Sequence, residues 1–154
     1  MVNLKRKLQI EQLDDKFEKL SIVGAVDIPA KGWIFSIRTA MNMSLAQLAK
    51  RLKKTIPSVK EIEEREQTKT ITLNNLIEVA NALDLRFYYG FLPREASIGK
   101  MVEKRAQQVA RDIVLRTSHT MGLEDQQNSE VRIERAIRER AAMIREEIPK
   151  YLWD

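Results

Sequence analysis

Cysteine is absent from the 154-residue sequence, and histidine occurs only once. Without cysteine the chain has no disulfides and no thiolate chemistry, and a reducing cytoplasm is the expected location. A single histidine argues against a transition-metal centre held by protein side chains. The sequence therefore predicts neither a metal site nor a bound cofactor.

Long apolar runs and catalytic motifs are missing as well. No stretch approaches the length that spans a membrane, and no secretion-signal pattern is present, so we predict no membrane contact. There is no glycine-rich phosphate loop and no Ser-His-carboxylate set in a usable context. The carboxylates are mostly interleaved with Lys and Arg, as on solvated helix faces. We therefore expect no catalytic residues and no enzymatic activity.

The charge is distributed unevenly along the chain. Hydrophobic residues make up 44% and charged residues 32%, which suits one globular domain or a small domain with attached helices. The formal net charge is +5, yet residues 31–60 contain seven basic side chains and no acidic one. A charge cluster is often only a solvated face. This one coincides with the two-helix motif described next, as phosphate binding would require.

Two short helices are predicted within residues 43–66. Ser44-x-x-Gln47 is a capping box at the start of the first, whose leucine and alanine residues recur at helical spacing. The second begins at Thr55, with Pro57 in its first turn, where a missing N–H has no consequence. Two short helices joined by about four residues are typical of a helix-turn-helix, whose second helix enters the major groove of DNA.

The whole chain is predicted to be all-α with one short β-strand, in four segments. Residues 1–29 form an amphipathic helix with balanced charge and a connector. Residues 30–84 form the DNA-binding domain, in which Thr72 caps the last helix. Residues 85–93 form a strand, and residues 94–154 form a C-terminal helical extension.

Residues 33–84 resemble the helix-turn-helix domain of the phage-repressor and antitoxin (lambda-repressor-like, XRE) family. The matching signature is a capped Leu-Ala-x-x-Leu helix, a tight turn, a second helix ending Ile-Glu, and then Thr-Leu-x-x-Leu-x-x-x-Ala-x-Ala-Leu. The resemblance implies a bundle of four or five helices. It also implies a set of DNA-contacting residues, in which the base-facing positions are Thr55, Ile56, Pro57, Ser58 and Glu61, and those near phosphates or the turn are Ser44, Gln47, Lys53, Lys54, Lys60, Lys69 and Thr70.

Three positions depart from the family pattern. Lys53 stands where the family usually has Gly, because that turn residue tends to need a positive φ, and Lys there costs about 1 kcal/mol. Lys54 replaces a usually apolar residue. Ile56 replaces a common polar base reader and can contact a thymine methyl group without making a bidentate hydrogen bond. Backbone contacts dominate affinity, so these changes affect base specificity more than DNA binding itself.

Aromatic residues dominate the segment 85–93, which we predict to be a strand ended by Pro93. A lone strand lacks a partner within its own chain. One interpretation is pairing with the same strand of a second subunit through Phe87, Tyr89 and Phe91, which would place two reading helices on a palindromic operator. The other is an irregular hydrophobic tail folded onto the bundle.

Two interpretations are open for the C-terminal helical extension. In the simpler one, the extension serves only in dimerisation, as extra helices attached to a DNA-binding domain often do. However, Thr120-Met-Gly-Leu-Glu124-Asp125 resembles the inhibitory motif of proteins that restrain Fic-domain AMP-transferases, in which the Glu pairs with an Arg of the ATP site. Thr and Glu four residues apart share a helical face, and a carboxylate accepts a bidentate Arg contact. Asp125 departs from the Gly or Asn expected there.

Nearly the whole chain resembles the family called mobile mystery protein A. The order of Trp33-Ile, the helix-turn-helix, Leu92-Pro-Arg, His119-Thr-Met and the terminal Leu-Trp-Asp carries this resemblance. It implies a Fic-domain partner and an antitoxin-like, autoregulating repressor of double-stranded DNA. The predicted pairing of the 85–93 strands adds that this repressor is a homodimer. Two alternatives remain open: a pure protein-binding inhibitor, or a phage or mobile-element repressor without Fic-inhibitory activity.

Overall fold

The computed structural model describes residues 3–24, 26–121 and 126–154. Within these ranges it describes all side chains except those of residues 119–129. Secondary structure in this described part is helical throughout and groups into two units, residues 1–24 with 91–154 and residues 25–90. No described helix is long and apolar enough to cross a membrane. The helices are α1 (Leu4–Ser21), α2 (Trp33–Ala40), α3 (Leu45–Leu52), α4 (Ile56–Thr68), α5 (Leu73–Ala82), α6 (Ile98–Met121), α7 (Gln126–Glu147) and a short 3-10 helix (Lys150–Trp153).

The predicted strand over residues 85–93 is wrong. This segment is irregular, without ladder pairing in the described chain. A strand needs a neighbour to satisfy its backbone groups, and an aromatic-rich sequence does not form one by itself. Phe87 is half-buried instead, with its ring stacked on that of Tyr89 at 6.0 Å between centroids. The first half of this segment therefore matches the interpretation of an irregular hydrophobic tail folded onto the bundle.

The unit of residues 25–90 is a small bundle built on the α3–α4 pair. Its core consists of apolar side chains from α2 to α5 and the residue after α5, spaced three or four apart on each helix. Leu48 of α3 and Val59 of α4 are fully buried at its centre. The buried core residues are Ile34, Leu48, Ala49, Val59, Ile62, Val79 and Leu83.

A buried ion pair joins α2 to α4 in this unit. Arg38 donates to both carboxylate oxygens of Glu63 and to the carbonyl oxygen of Met43. Arg38 is one of the seven basic residues in the 31–60 window, but a cation enclosed with a carboxylate is not available to phosphate, so its burial removes it from that basic surface.

A second carboxylate of α4 caps α2. The backbone N–H groups of Trp33 and Ile34 donate to Glu66 at 2.9 and 2.8 Å. Gly32 precedes them at φ 84°, and a Cβ there would lie 2.8 Å from the Glu66 carboxylate. The close approach therefore requires glycine on both steric and conformational grounds.

The other unit is a helical hairpin with α1 packed on it. Helices α6 and α7 bury small and branched side chains against each other and against Leu152 of the 3-10 helix. Asp14 of α1 accepts from the backbone N–H groups of Ile98 and Gly99 at 2.7 and 3.1 Å, so α1 caps α6. The N-terminal helix is thus part of the same unit as the C-terminal helices.

Candidate nucleic-acid interface

The connection between α3 and α4 follows the sequence signals closely. The Ser44 side chain accepts from Gln47 N–H at 3.1 Å and the Gln47 side chain accepts from Ser44 N–H at 2.8 Å, which confirms the capping box. Lys53 ends α3 at φ 56°, the left-handed geometry expected from the family's glycine. Thr55 then caps α4 by accepting from Ser58 N–H at 3.3 Å, with Pro57 in the first turn. Cap chemistry therefore fixes both ends of the turn.

The inner face of helix α4 packs against the rest of the unit, and its outer face is exposed to solvent. Val59, Ile62, Glu63 and Glu66 follow the spacing i, i+3, i+4, i+7 and point into the unit. The ion pair of Glu63 and the capping bonds of Glu66 orient this face as firmly as the apolar contacts do. That spacing could have revealed the structural role of both glutamates from sequence, where the carboxylates were instead expected on solvated helix faces.

Every predicted DNA-contacting residue lies in the unit of residues 25–90, and none is fully buried. Ile56, at the first position of α4, is 48% exposed. Lys54 and Ser58 are partly buried, and the rest are exposed. These positions lie at the start of α3, in the α3–α4 connection, in the first two turns of α4 and just after its end; the set is Ser44, Gln47, Lys53, Lys54, Thr55, Ile56, Pro57, Ser58, Lys60, Glu61, Lys69 and Thr70.

Two of these side chains already have ionic partners. The ammonium of Lys54 lies 3.2 Å from the carboxylate of Glu78 in α5. The carboxylate of Glu61 lies 2.6 Å from the guanidinium of Arg65, one turn along α4. Both pairs are at least partly solvated, so they are weak and open at little cost. Sequence reasoning missed both partners.

Four lysines near the interface have no ionic partner among the described side chains: Lys50, Lys53, Lys60 and Lys69. Lys53 and Lys69 occupy the left-handed positions just before and just after α4, at φ 56° and 64°. A lysine in this conformation is strained relative to glycine by about 1 kcal/mol. Both ends of the helix thus carry an exposed cation at a position where glycine would be more favourable.

No group of acidic or histidine side chains in the part of the chain described here is placed to hold a metal ion. Residue 120 belongs to the last turn of α6, but its side chain and the whole of residue 124 lie outside the described part of the chain, so the motif of residues 120–125 stays a prediction. Phe87 and Tyr89 lie in the irregular segment, and Phe91, which is 80% exposed, follows them in the chain.

Comparison with known families agrees with this geometry. Residues 34–89 match a helix-turn-helix family model, which covers α2 to α5 and the start of the irregular segment. Searches of curated proteins and of solved structures find no match. In helix-turn-helix proteins the second helix lies in the major groove of DNA and the first helix crosses the DNA backbone. Residues 34–89 are therefore an XRE-like helix-turn-helix domain, the module of DNA-binding regulators.

Proposed function

We propose that the chain is a dimeric transcriptional repressor that binds a palindromic operator and acts as the antitoxin-like, autoregulating partner of a Fic-domain AMP-transferase. The single observation that supports the DNA-binding part is the exposed start of α4, flanked by cations that lack ionic partners. In this proposal the protein has no catalytic activity, binds no cofactor or metal, and works in the cytoplasm.

The start of α4 supplies the base contacts in this mechanism. The N-terminal residues of a second helix reach base edges in the major groove. Ile56 offers an apolar surface that fits a thymine methyl group, and the Ser58 hydroxyl can exchange hydrogen bonds with either base type. Glu61 reaches a cytosine amino group only after leaving Arg65, and the exposed pair makes that exchange easy.

Phosphate contacts supply most of the affinity and set the register. Lys53, Lys60 and Lys69 are exposed cations before, on and after α4, and each can replace a counterion on the duplex. Ser44 and Gln47 keep donors beyond those used in the capping box, since the cap uses only the oxygen atoms of their side chains as acceptors. Lys54 joins this set when it leaves Glu78.

The DNA-binding proposal is tested with duplexes selected by the full-length protein from a randomised pool. Replacing a phosphate-contacting lysine lowers affinity for all duplexes and reduces the salt slope by about 1. We expect this for Lys60→Gln in a fluorescence-anisotropy titration over several salt concentrations. Lys100→Gln, an exposed lysine of α6, is the matched control and should bind as the unmodified protein does. Equal affinity and slope for both variants would refute the proposal.

The Fic-related part rests on the sequence of residues 120–125. A Glu that pairs with an Arg at a nucleotide site blocks productive binding of the γ-phosphate, because the Arg is then neutralised and displaced. If the neighbouring reading frame encodes His-x-Phe-x-x-Gly-Asn-Gly-Arg, the two proteins are mixed with ATP. Glu124→Gly should release AMP transfer while leaving DNA binding unchanged, and Glu130→Gly, six residues on, should not. A Glu124→Gly protein that still suppresses the activity rules out the motif.

A further inference from the structure

A cavity of about 910 Å³ lies within the unit of residues 25–90. It opens between α2, α5, the end of α4 and the irregular residues 85–88. Sites for small molecules in proteins commonly measure about 300–1,000 Å³. Most of the wall is apolar or aromatic and includes Trp33, Ile37, Leu76 and Phe87. The irregular segment that replaces the predicted strand forms one side of this cavity.

The polar groups on the wall are unequal in what they can offer a ligand. Glu66 is already engaged, because its two oxygens accept from the first N–H groups of α2. Lys69 and Arg86 have no carboxylate partner among the described side chains. The Arg86 guanidinium instead lies 5.0 Å from the centre of the Tyr88 ring. The cavity therefore combines an apolar interior with two cations free to pair with an anion.

We propose that this cavity binds a small molecule with a flat apolar body and one anionic group, such as an aromatic carboxylate or sulfonate. The body removes apolar surface of the wall from water, and the anionic group pairs with Lys69 and Arg86. A neutral molecule of the same shape gains only the burial of apolar surface. A cation is disfavoured, because the wall carries two cationic side chains and its one carboxylate, Glu66, already accepts two backbone hydrogen bonds.

The test uses two fluorescent probes with the full-length chain and no DNA, so its result does not depend on the proposed function. One probe is 8-anilinonaphthalene-1-sulfonate, and the other is N-phenyl-1-naphthylamine, which has the same rings without the sulfonate. We expect one sulfonate probe per chain, bound about tenfold more tightly than the neutral probe, as one charge-assisted contact provides.

Variants separate the charge from the cavity. Lys69→Gln with Arg86→Gln should weaken the sulfonate probe about tenfold and leave the neutral probe unchanged. The matched control, Lys50→Gln with Lys104→Gln, removes two exposed lysines that do not line this cavity and should change neither. Ala80→Leu, which fills the cavity from α5, should weaken both probes.

Two results would overturn the proposal. The first is equal binding of the sulfonate probe by the unmodified protein and by the Lys69→Gln, Arg86→Gln protein. The second is release of bound probe as the protein concentration rises, because a second copy of the chain would then occupy the cavity. If Ala80→Leu loses cooperative unfolding, the charge variants and the concentration series still decide the outcome.

Discussion

Arg38 of α2 and Glu63 of α4 are joined by two parallel hydrogen bonds, from Nε at 2.5 Å and from Nη2 at 3.2 Å. The third guanidinium nitrogen donates to the Met43 carbonyl oxygen at 2.8 Å, so the pair also fixes the loop that leads into α3. The two side chains are only 10% and 9% exposed. This planar, bidentate contact sets the orientation of α4 against α2.

Glu63→Leu should strongly destabilise the unit of residues 25–90, because it leaves the Arg38 charge buried and unpaired. The expected loss in the free energy of unfolding is about 3–5 kcal/mol. The double variant Arg38→Met, Glu63→Leu should recover most of it. Urea denaturation followed by Trp33 fluorescence, in a Trp153→Phe background, isolates this unit.

Glu61→Ala is the matched control for that experiment. It breaks the exposed pair with Arg65 on the same helix, and should cost less than about 1 kcal/mol. A Glu63→Leu protein no less stable than Glu61→Ala would contradict the importance of the buried pair.

Gly32→Ala should destabilise the same unit by about 1–2 kcal/mol, because an L residue is strained at φ 84°. The added Cβ would also push away the Glu66 carboxylate that caps α2. Gly99→Ala provides the comparison: its Cβ would lie 3.4 Å from Asp14 Oδ2, and no positive φ is involved. Thermal unfolding followed by circular dichroism measures both, and equal midpoints would argue against the cap.

Lys53→Gly should separate stability from DNA binding. Glycine relieves the left-handed strain at the end of α3, so stability should stay equal or rise by up to about 1 kcal/mol. The loss of a cation should nevertheless weaken duplex binding and reduce the salt slope by about 1. Urea denaturation and anisotropy titrations on the same preparation measure the two effects. A fall in stability together with unchanged DNA affinity would contradict both the backbone strain at Lys53 and its proposed contact with phosphate.

Dimerisation is proposed through exposed aromatic side chains of the irregular segment, without strand pairing. Tyr89 is 67% and Phe91 80% exposed, and aromatic side chains are enriched at contacts between subunits. Tyr89→Ser with Phe91→Ser should shift the protein from dimer to monomer in sedimentation equilibrium. Tyr151→Ser changes an exposed aromatic residue elsewhere and should not. An unmodified protein that is monomeric throughout would exclude this contact.

Local signals in the sequence were sufficient for the helix-turn-helix. The capping box of Ser44 and Gln47, the start at Thr55 and the cap at Thr72 all depend on residues three apart, and all are formed. The left-handed turn at Lys53 also follows from the pattern. Interactions of this range require no knowledge of the remaining chain, so a linear reading can find them.

Segment 85–93 could not be predicted from local signals of this kind. Its aromatic residues favour a strand, but a strand exists only beside a neighbour, and the residues that the structure describes supply none here. The same limit applies to Arg38 and Lys54, whose partners, Glu63 and Glu78, lie 25 and 24 residues away. From sequence, Lys54 was predicted to lie near phosphates, and Arg38 was counted only as part of the basic window of residues 31–60.

The sequence by itself determined the helices, the side-chain caps of α3, α4 and α5, and the basic window, because these follow from composition and from spacings within one or two turns. The tertiary structure alone decided which charges are buried, which are paired and which face solvent. It also decided that residues 85–88 line a cavity. Those outcomes depend on contacts between residues distant in the chain, whose free energies are set by burial and geometry rather than by residue type.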